Sequence, residues 1–172
     1  MGITERDVTH VAHETHAVDM SFRPCLESVS AVRRFLEVHF GHLACDAQLI
    51  SRMAVTVHEL LENAAKYSTG GGSRLHVEVD PAVPRALSIS VVNQADPRHI
   101  PGLRETIDEL SSAADPSDVY QRYLLRAATR DTGSGLGLAR IFVEADMSVQ
   151  LELSDDSICV KAVAMLPAGG TP

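Results

Sequence analysis

The segment from Asp46 to about Tyr67 limits the folds open to this chain more than any other. Ile50, Met53, Ala54, Val57, Leu61 and Ala64 recur at helical spacing and form one apolar stripe. Asp46 stands just before them as an N-cap, a position where a carboxylate satisfies free N–H groups of the first turn. Gly70-Gly71-Gly72-Ser73 then ends the helix and turns the chain. A helix this long with one apolar stripe needs a complementary surface, which the rest of the chain offers as strands.

Ala17 to Arg23 alternates Val18, Met20 and Phe22 with Asp19, Ser21 and Arg23, a half-buried strand that Pro24 stops. A helix is predicted from about Leu26 to His39, with Val29, Val32, Phe35, Leu36 and Phe40 on its periodic face. Two strands follow the glycines, Arg74 to Asp80 and Leu87 to Asn93, joined by a turn at Pro81 to Pro84. Two more close the chain, Ser148 to Leu153 and Ile158 to Leu166, about an Asp155-Asp156-Ser157 turn. Between the pairs, Ala95 to Thr132 carries Pro97, Pro101, Pro116 and two short helical patterns with few large apolar residues. So long a connection is unusual within a domain, and residues 96–132 are expected to form a lid. The Gly133–Gly137 turn opens a last helix to about Ala145.

Strands that follow one another directly favour hairpins. The expected fold is therefore an α/β two-layer sandwich, its mixed and largely antiparallel sheet covered by helices on one face. One domain is expected over residues 17–168, with an N-terminal arm at 1–16 and a tail at 169–172.

Lys and Arg number 15 against 23 Asp and Glu, a net charge of -8. Such a surface repels phosphate backbones and anionic lipid, which argues against nucleic-acid or membrane binding. Cys25, Cys45 and Cys159 are too few and too widely spaced for a disulfide framework or a CxxC site. With no leader and no long apolar run visible, a cytoplasmic location is expected. His10, His13 and His16, and again His39, His42 and Cys45, are spaced like ligands. No matching carboxylate or second pair accompanies them, and a metal site there is not expected.

Two constellations carry chemistry. On the central helix Glu59, Asn63 and Lys66 fall within about 60° of one another, opposite Val57. Most charged helix faces are only solvated, held by pairs such as Glu62 with Lys66. The second is Gly133-Ser134-Gly135-Leu136-Gly137-Leu138 at a helix start, where small residues and free N–H groups suit an anion. By itself a Gly-rich turn is equally a hinge.

Together, His58-Glu59-Leu60-Leu61-Glu62-Asn63-Ala64-Ala65-Lys66-Tyr67 and Gly-Ser-Gly-Leu-Gly-Leu resemble the N-box and G2 box of the GHKL ATPase superfamily, which includes gyrase and histidine-kinase catalytic domains. The resemblance implies the Bergerat-type ATP-binding fold with ATP and Mg²⁺ as cofactors. Asn63 would hold Mg²⁺, Glu59 would be the catalytic base and Lys66 would contact phosphate. Gly133, Ser134, Gly135, Leu136 and Gly137 would line the phosphate chain. The family's G1 box, Asp-x-Gly-x-Gly, reads adenine through its Asp. Here Asn93 stands in that place and Asn93-Gln94-Ala95-Asp96-Pro97 has neither glycine.

Within the superfamily the chain is most similar to stand-alone bacterial anti-sigma serine kinases and partner-switching regulators. Sixteen residues precede the first strand, without the histidine-bearing hairpin of a complete histidine kinase. The resemblance implies a Ser/Thr protein kinase acting on a small regulatory protein: an antagonist, a sigma factor or a response regulator. It also allows a homodimer through the first strand and helix. Two alternatives stay open, a non-catalytic module that sequesters a regulator and an ATP-binding subunit acting on a separate His-containing partner.

Overall fold

A computed structural model of the chain describes residues 15–43, 46–80, 86–129, 135–154 and 156–165. Five strands and five α-helices follow in the order β1 (His16–Phe22), α1 (Leu26–His42), α2 (Ala47–Tyr67), β2 (Ser73–Asp80), β3 (Ala86–Asn93), α3 (Ile100–Ser111), α4 (Pro116–Thr129), α5 (Leu136–Val143), β4 (Ser148–Ser154) and β5 (Ser157–Met165). One turn of 3₁₀ helix at Pro97–His99 leads into α3. The sheet runs β1-β2-β3-β5-β4, and every pairing is antiparallel. The fold is thus the expected α/β sandwich, with the sheet wholly rather than largely antiparallel among the described residues.

Alternation builds the two faces. On one side Leu75, Val77 and Val79 of β2, Leu87, Ile89 and Val91 of β3, and Val160, Ala162 and Ala164 of β5 are each at most 8% exposed. The residues between them, among them Arg74, His76, Glu78, Ser88, Ser90 and Lys161, face the other way. The helices lie over the apolar side. Each large side chain buried there contributes about 1.5–3 kcal/mol.

Helix α2 is the centre of that layer. Asp46 caps it as the sequence indicates, accepting from the Leu49 N–H at 2.7 Å. Its surroundings are more enclosed than one apolar stripe implies: from Arg52 to Ala65 no residue is exposed. Val57 and Leu61 are fully buried, α1 packs alongside through Val29, Val32, Leu36 and Phe40, and α5 lies against the remaining side.

In the segment expected as a lid, the two short helical patterns are the helices α3 and α4, and both pack against the core. Ile107 and Leu110 of α3, and Val119 and Tyr123 of α4, join the common core. The prolines do not interrupt these helices. Pro97, Pro101 and Pro116 occupy helix starts, where the missing N–H would have no intrahelical partner in any case. Helix α1 likewise runs past its expected end to His42, and His39 packs between the rings of Phe35 and Phe40. The remaining candidate ligands His10, His13 and Cys45 lie outside the described residues.

The Arg52 side chain ties α2 to the exit of α5. The Arg52 guanidinium, 9% exposed, donates through Nε to the Ala145 carbonyl at 2.6 Å and through Nη2 to the carbonyl of Asp146. Nη2 also reaches the Asp146 carboxylate at 3.1 Å. Asp146 takes φ 49°, the left-handed conformation with which chains commonly leave a helix. Replacing the guanidinium leaves two carbonyls without their donor, a cost of about 2 kcal/mol. Arg52→Met is expected to lower the unfolding free energy by about that amount, read from urea midpoints.

Candidate functional site

Between α2, the end of β3, the 3₁₀ turn with α3, and the start of α5 lies a cavity of about 660 Å³. That volume accommodates a ligand of nucleotide or drug size. Helix α2 contributes Glu59, Asn63, Lys66 and Tyr67 to its wall. From β3 comes Asn93, and from the α5 start come Gly135, Leu136 and Gly137. The structure therefore brings together seven of the residues singled out in the sequence. Gly133 and Ser134 lie outside the described residues.

Glu59 is the centre of the electrostatics. Its side chain is 7% exposed, and Oε1 accepts from Arg140 Nη1 of α5. Burial raises the carboxyl pKa above the ordinary carboxylate value, and Arg140 opposes that shift without cancelling it. Arg140 gives its other donors to Glu144, at 3.1 and 3.2 Å from Nε and 3.1 Å from Nη2. Glu144 also accepts from the Tyr120 hydroxyl of α4 at 2.5 Å, and both partners hold its carboxyl below the usual range.

Glycine is required twice at the α5 start, for different reasons. Gly135 precedes the helix at φ 71°, and a Cβ there would lie 2.6 Å from the Tyr123 ring. Backbone conformation and space both forbid a side chain. Gly137 is inside the helix, where an added Cβ would lie 2.5 Å from Glu59 Oε2. Its bare Cα lets the carboxylate settle against the first turn of α5, where the positive end of the helix dipole favours negative charge.

The other wall residues are more conventional. Lys66 Nζ pairs with Glu62 at 2.5 Å, so the solvated-face pairing anticipated from the sequence forms within the cavity wall. Glu62 also meets His58 Nε2 at 3.2 Å. Asn93 is 5% exposed and donates Nδ2 to the Gln94 carbonyl at 3.2 Å, which leaves Oδ1 as the atom able to accept. An isolated bridge between Ser68 and Ala95, with Thr69 N–H donating to the Gln94 carbonyl at 3.0 Å, ties the α2 end to the strand exit. Tyr67 packs on His99 with ring centroids 5.2 Å apart, and both line the cavity. His99 is exposed and stands at the cavity rim. Among the described residues no group of three or more His, Cys, Asp or Glu side chains is placed to hold a metal ion.

Sequence reasoning missed Arg140, Tyr67 and His99. Arg140 sits one helical turn beyond Gly137, so it shares the face that looks toward α2. That spacing was the available signal.

The fold and cavity define a protein class: an antiparallel α/β sandwich with a pocket between its central helix and a glycine-opened helix. Among solved structures, a chain in the crystal structure of the SiaB–SiaC complex from Pseudomonas aeruginosa is similar, with a TM-score of 0.65 at 13% identity. The match covers 86% of this chain and 89% of that one, and it is a likeness of fold. Comparison of the sequence with protein-family models and with curated proteins finds no match.

The raised Glu59 pKa makes a stability prediction. A carboxyl whose folded value exceeds its unfolded one binds protons more readily in the folded state. Its contribution is present in acid and is lost as pH rises from the ordinary carboxylate range through the raised value, so ionisation of the folded carboxyl carries a net cost. Glu59→Gln is expected to be more stable than the parent at neutral pH, the gain shrinking as pH falls into the carboxylate range. Urea midpoints across that range test the direction, and an equal or lower midpoint at pH 7 contradicts it.

Proposed function

We propose that this protein binds ATP with Mg²⁺ in the cavity between α2 and α5 and is a regulatory protein kinase of partner-switching type. It would transfer phosphate to a serine or threonine of a small partner protein. The observation that carries the reading is the convergence on one cavity of Glu59, Asn63, Lys66, Asn93 and the Gly135–Gly137 turn, drawn from distant parts of the chain.

Each residue suits its role. Asn63 offers a neutral amide oxygen at the cavity wall, and Mg²⁺ commonly takes one or two protein oxygens while waters and substrate phosphates complete its shell. The donor set fits, and the bound metal would supply neutralising charge beside the phosphates. The first turn of α5 presents backbone N–H groups to an anion. Lys66 would exchange Glu62 for a phosphate oxygen, and Asn93 Oδ1 would accept from the adenine amine. Glu59 stands at the wall as the base that takes the proton of the attacking hydroxyl.

The partner follows from chemistry and likeness. The similar solved structure is a complex, which supports a protein partner, namely an antagonist, a sigma factor or a response regulator. The net charge of -8 disfavours nucleic acid, and among the described residues no helix is long and apolar enough to cross a membrane. A cytoplasmic setting, where ATP is available, goes with this reading. Strand β1 lies at the sheet edge, and Phe35 and Val38 of α1 are 48% and 49% exposed, which supports a homodimer through these elements.

A second reading, a non-catalytic module that holds a regulator, is favoured by the neutral Asn93 and by Ala95 and Pro97 where the resemblance expects glycine. Titration calorimetry with Mg-ATP addresses the first. Saturable binding is expected from the parent and its loss, by tenfold or more in affinity (about 1.4 kcal/mol), in Asn63→Ala. A parent that gives no binding heat at millimolar Mg-ATP would sink the nucleotide reading and leave the second.

A further inference from the structure

We infer that Arg140 is the positioning residue for Glu59: it fixes the carboxylate at the cavity wall without itself touching what the cavity holds. The inference rests on the reading of the cavity as a nucleotide site with Glu59 as its base. Glu59 lines the cavity, whereas Arg140 is absent from its wall and reaches Glu59 from the α5 side.

The geometry is that of a base held by a third group. One guanidinium nitrogen, Nη1, meets Glu59 Oε1, while Nε and Nη2 are spent on Glu144. Glu144 is in turn fixed by the Tyr120 hydroxyl, so the guanidinium cannot swing away from Glu59 without breaking its fork. The second carboxylate oxygen faces Gly137, where nothing larger than hydrogen fits. Glu59 is therefore held on both oxygens, by a charge on one side and by bare backbone on the other.

The surroundings leave this task to Arg140. The charged or titratable groups facing Glu59 are His58, Glu62 and Lys66 from α2 itself, Arg140 from α5 and Tyr120 from α4. Lys66 and His58 are each engaged by Glu62. A phosphate-binding role would require Arg140 to line the cavity. A purely structural role would be met by its pair with Glu144 on the same helix, four residues on, without spending a donor on a buried carboxylate. A base within reach of its proton donor and oriented by a further group is the arrangement that activated nucleophiles use.

The step it serves can be written for water as acceptor. The water proton passes to Glu59 as the water oxygen bonds to the γ-phosphorus. The bond from that phosphorus to the bridging oxygen breaks, ADP leaves with the electron pair, and Glu59 later returns its proton to solvent. Arg140 keeps the accepting oxygen at one place on the wall.

The test uses the full chain and Mg-ATP, with phosphate release for turnover and calorimetry for affinity. Arg140→Met is expected to lower kcat by about tenfold or more, since a positioned base contributes 10²–10⁴-fold. Mg-ATP affinity should stay within about twofold of the parent, because only a step after binding is affected. In a Glu59→Gln background the same substitution should cost nothing further, a non-additivity that a structural role would not produce. Arg140→Lys, which keeps the charge but not the fork, should fall between and carries the test if the Met variant folds poorly. Unchanged or raised turnover in Arg140→Met, a parallel loss of affinity, or a loss that persists beside Glu59→Gln overturns the inference and leaves the nucleotide reading standing. A parent that binds Mg-ATP but releases no phosphate also overturns it. A parent that does not bind Mg-ATP overturns the reading itself, and the inference with it.

Discussion

The site depends on how α2 grips α5. Arg52 and Glu59 are seven residues apart on α2, two turns along one face, a separation of about 10 Å. Helix α5 has eight residues, about 12 Å of helix, and lies antiparallel to α2 with its two ends at these two side chains. Arg52 donates to the carbonyls at the α5 exit, and Glu59 lies against Gly137 in its first turn. A cation thus meets the negative end of the helix dipole and an anion the positive end. Thr56 donates to Met147 Sδ at 3.1 Å near the exit end of the same contact. The clamp sets the spacing between α2 and the glycine turn, and that spacing sets the cavity.

The α3–α4 segment is fastened to the same helix. At one point the Tyr123 ring fills the space beside Gly135, and its hydroxyl donates to Glu109 of α3 at 2.7 Å. Arg122 and Arg126 add contacts to Glu109 at 2.9 and 3.4 Å. At another, Tyr120 reaches Glu144, which also holds Arg140. The arginine–glutamate pairs are largely exposed and each stabilises weakly. The buried Tyr123 ring and the apolar residues Ile107, Leu110 and Val119 do most of the holding. Any opening of this segment must move Tyr123 away from Gly135 and either break or carry the Glu144 contact, so its motion and the setting of Arg140 are mechanically linked.

How much of this was legible in sequence follows from how local each cause is. The Asp46 cap, the strand alternation and the end of α2 are set within a few residues, and the structure has them in place. That the sheet is largely antiparallel followed from short connections, a slightly longer inference, whereas the order β1-β2-β3-β5-β4 joins β1 to β2 across two helices and β3 to β5 across three, beyond what those connections dictate. The two helical patterns of the α3–α4 segment were legible, but with so few apolar residues their packing against the core was not. Pro101 and Pro116 begin helices, Val119 joins the common core, and the Tyr123 ring packs beside Gly135 while its hydroxyl bonds Glu109 of α3. Within the site, Glu59, Asn63 and Lys66 share a helix face, so their convergence was readable. The Arg140–Glu59 pair links positions eighty-one residues apart, so helical spacing places Arg140 on the Gly137 face but does not name Glu59 as its partner.

The cavity's charge balance constrains any anion that enters it. Among the described residues the two cations in its wall are Lys66 and Arg98, and each is already matched, Lys66 by Glu62 and Arg98 by Asp96. Arg140 behind the wall is shared between two carboxylates. The Asp96 carboxyl is drawn down to about 2 by Arg98, so that pair stays ionised throughout the physiological range. Among the described residues no uncompensated side-chain cation therefore greets a polyphosphate, and Glu59 adds a carboxyl group beside the glycine turn. An anionic ligand must displace a carboxylate from Lys66, rely on the backbone N–H groups of α5, or arrive with its own countercharge. Displacing Glu62 gains little, because a half-exposed pair exchanges one anion for another. Neutral Asn63, placed one turn from Glu59, is suited to the third course: it offers an oxygen to a divalent cation carried by the ligand without adding a charge of its own. On a chain of net charge -8, an anion that carries its own divalent cation meets less repulsion in this cavity than a free anion, which is why the proposed reading pairs the nucleotide with Mg²⁺.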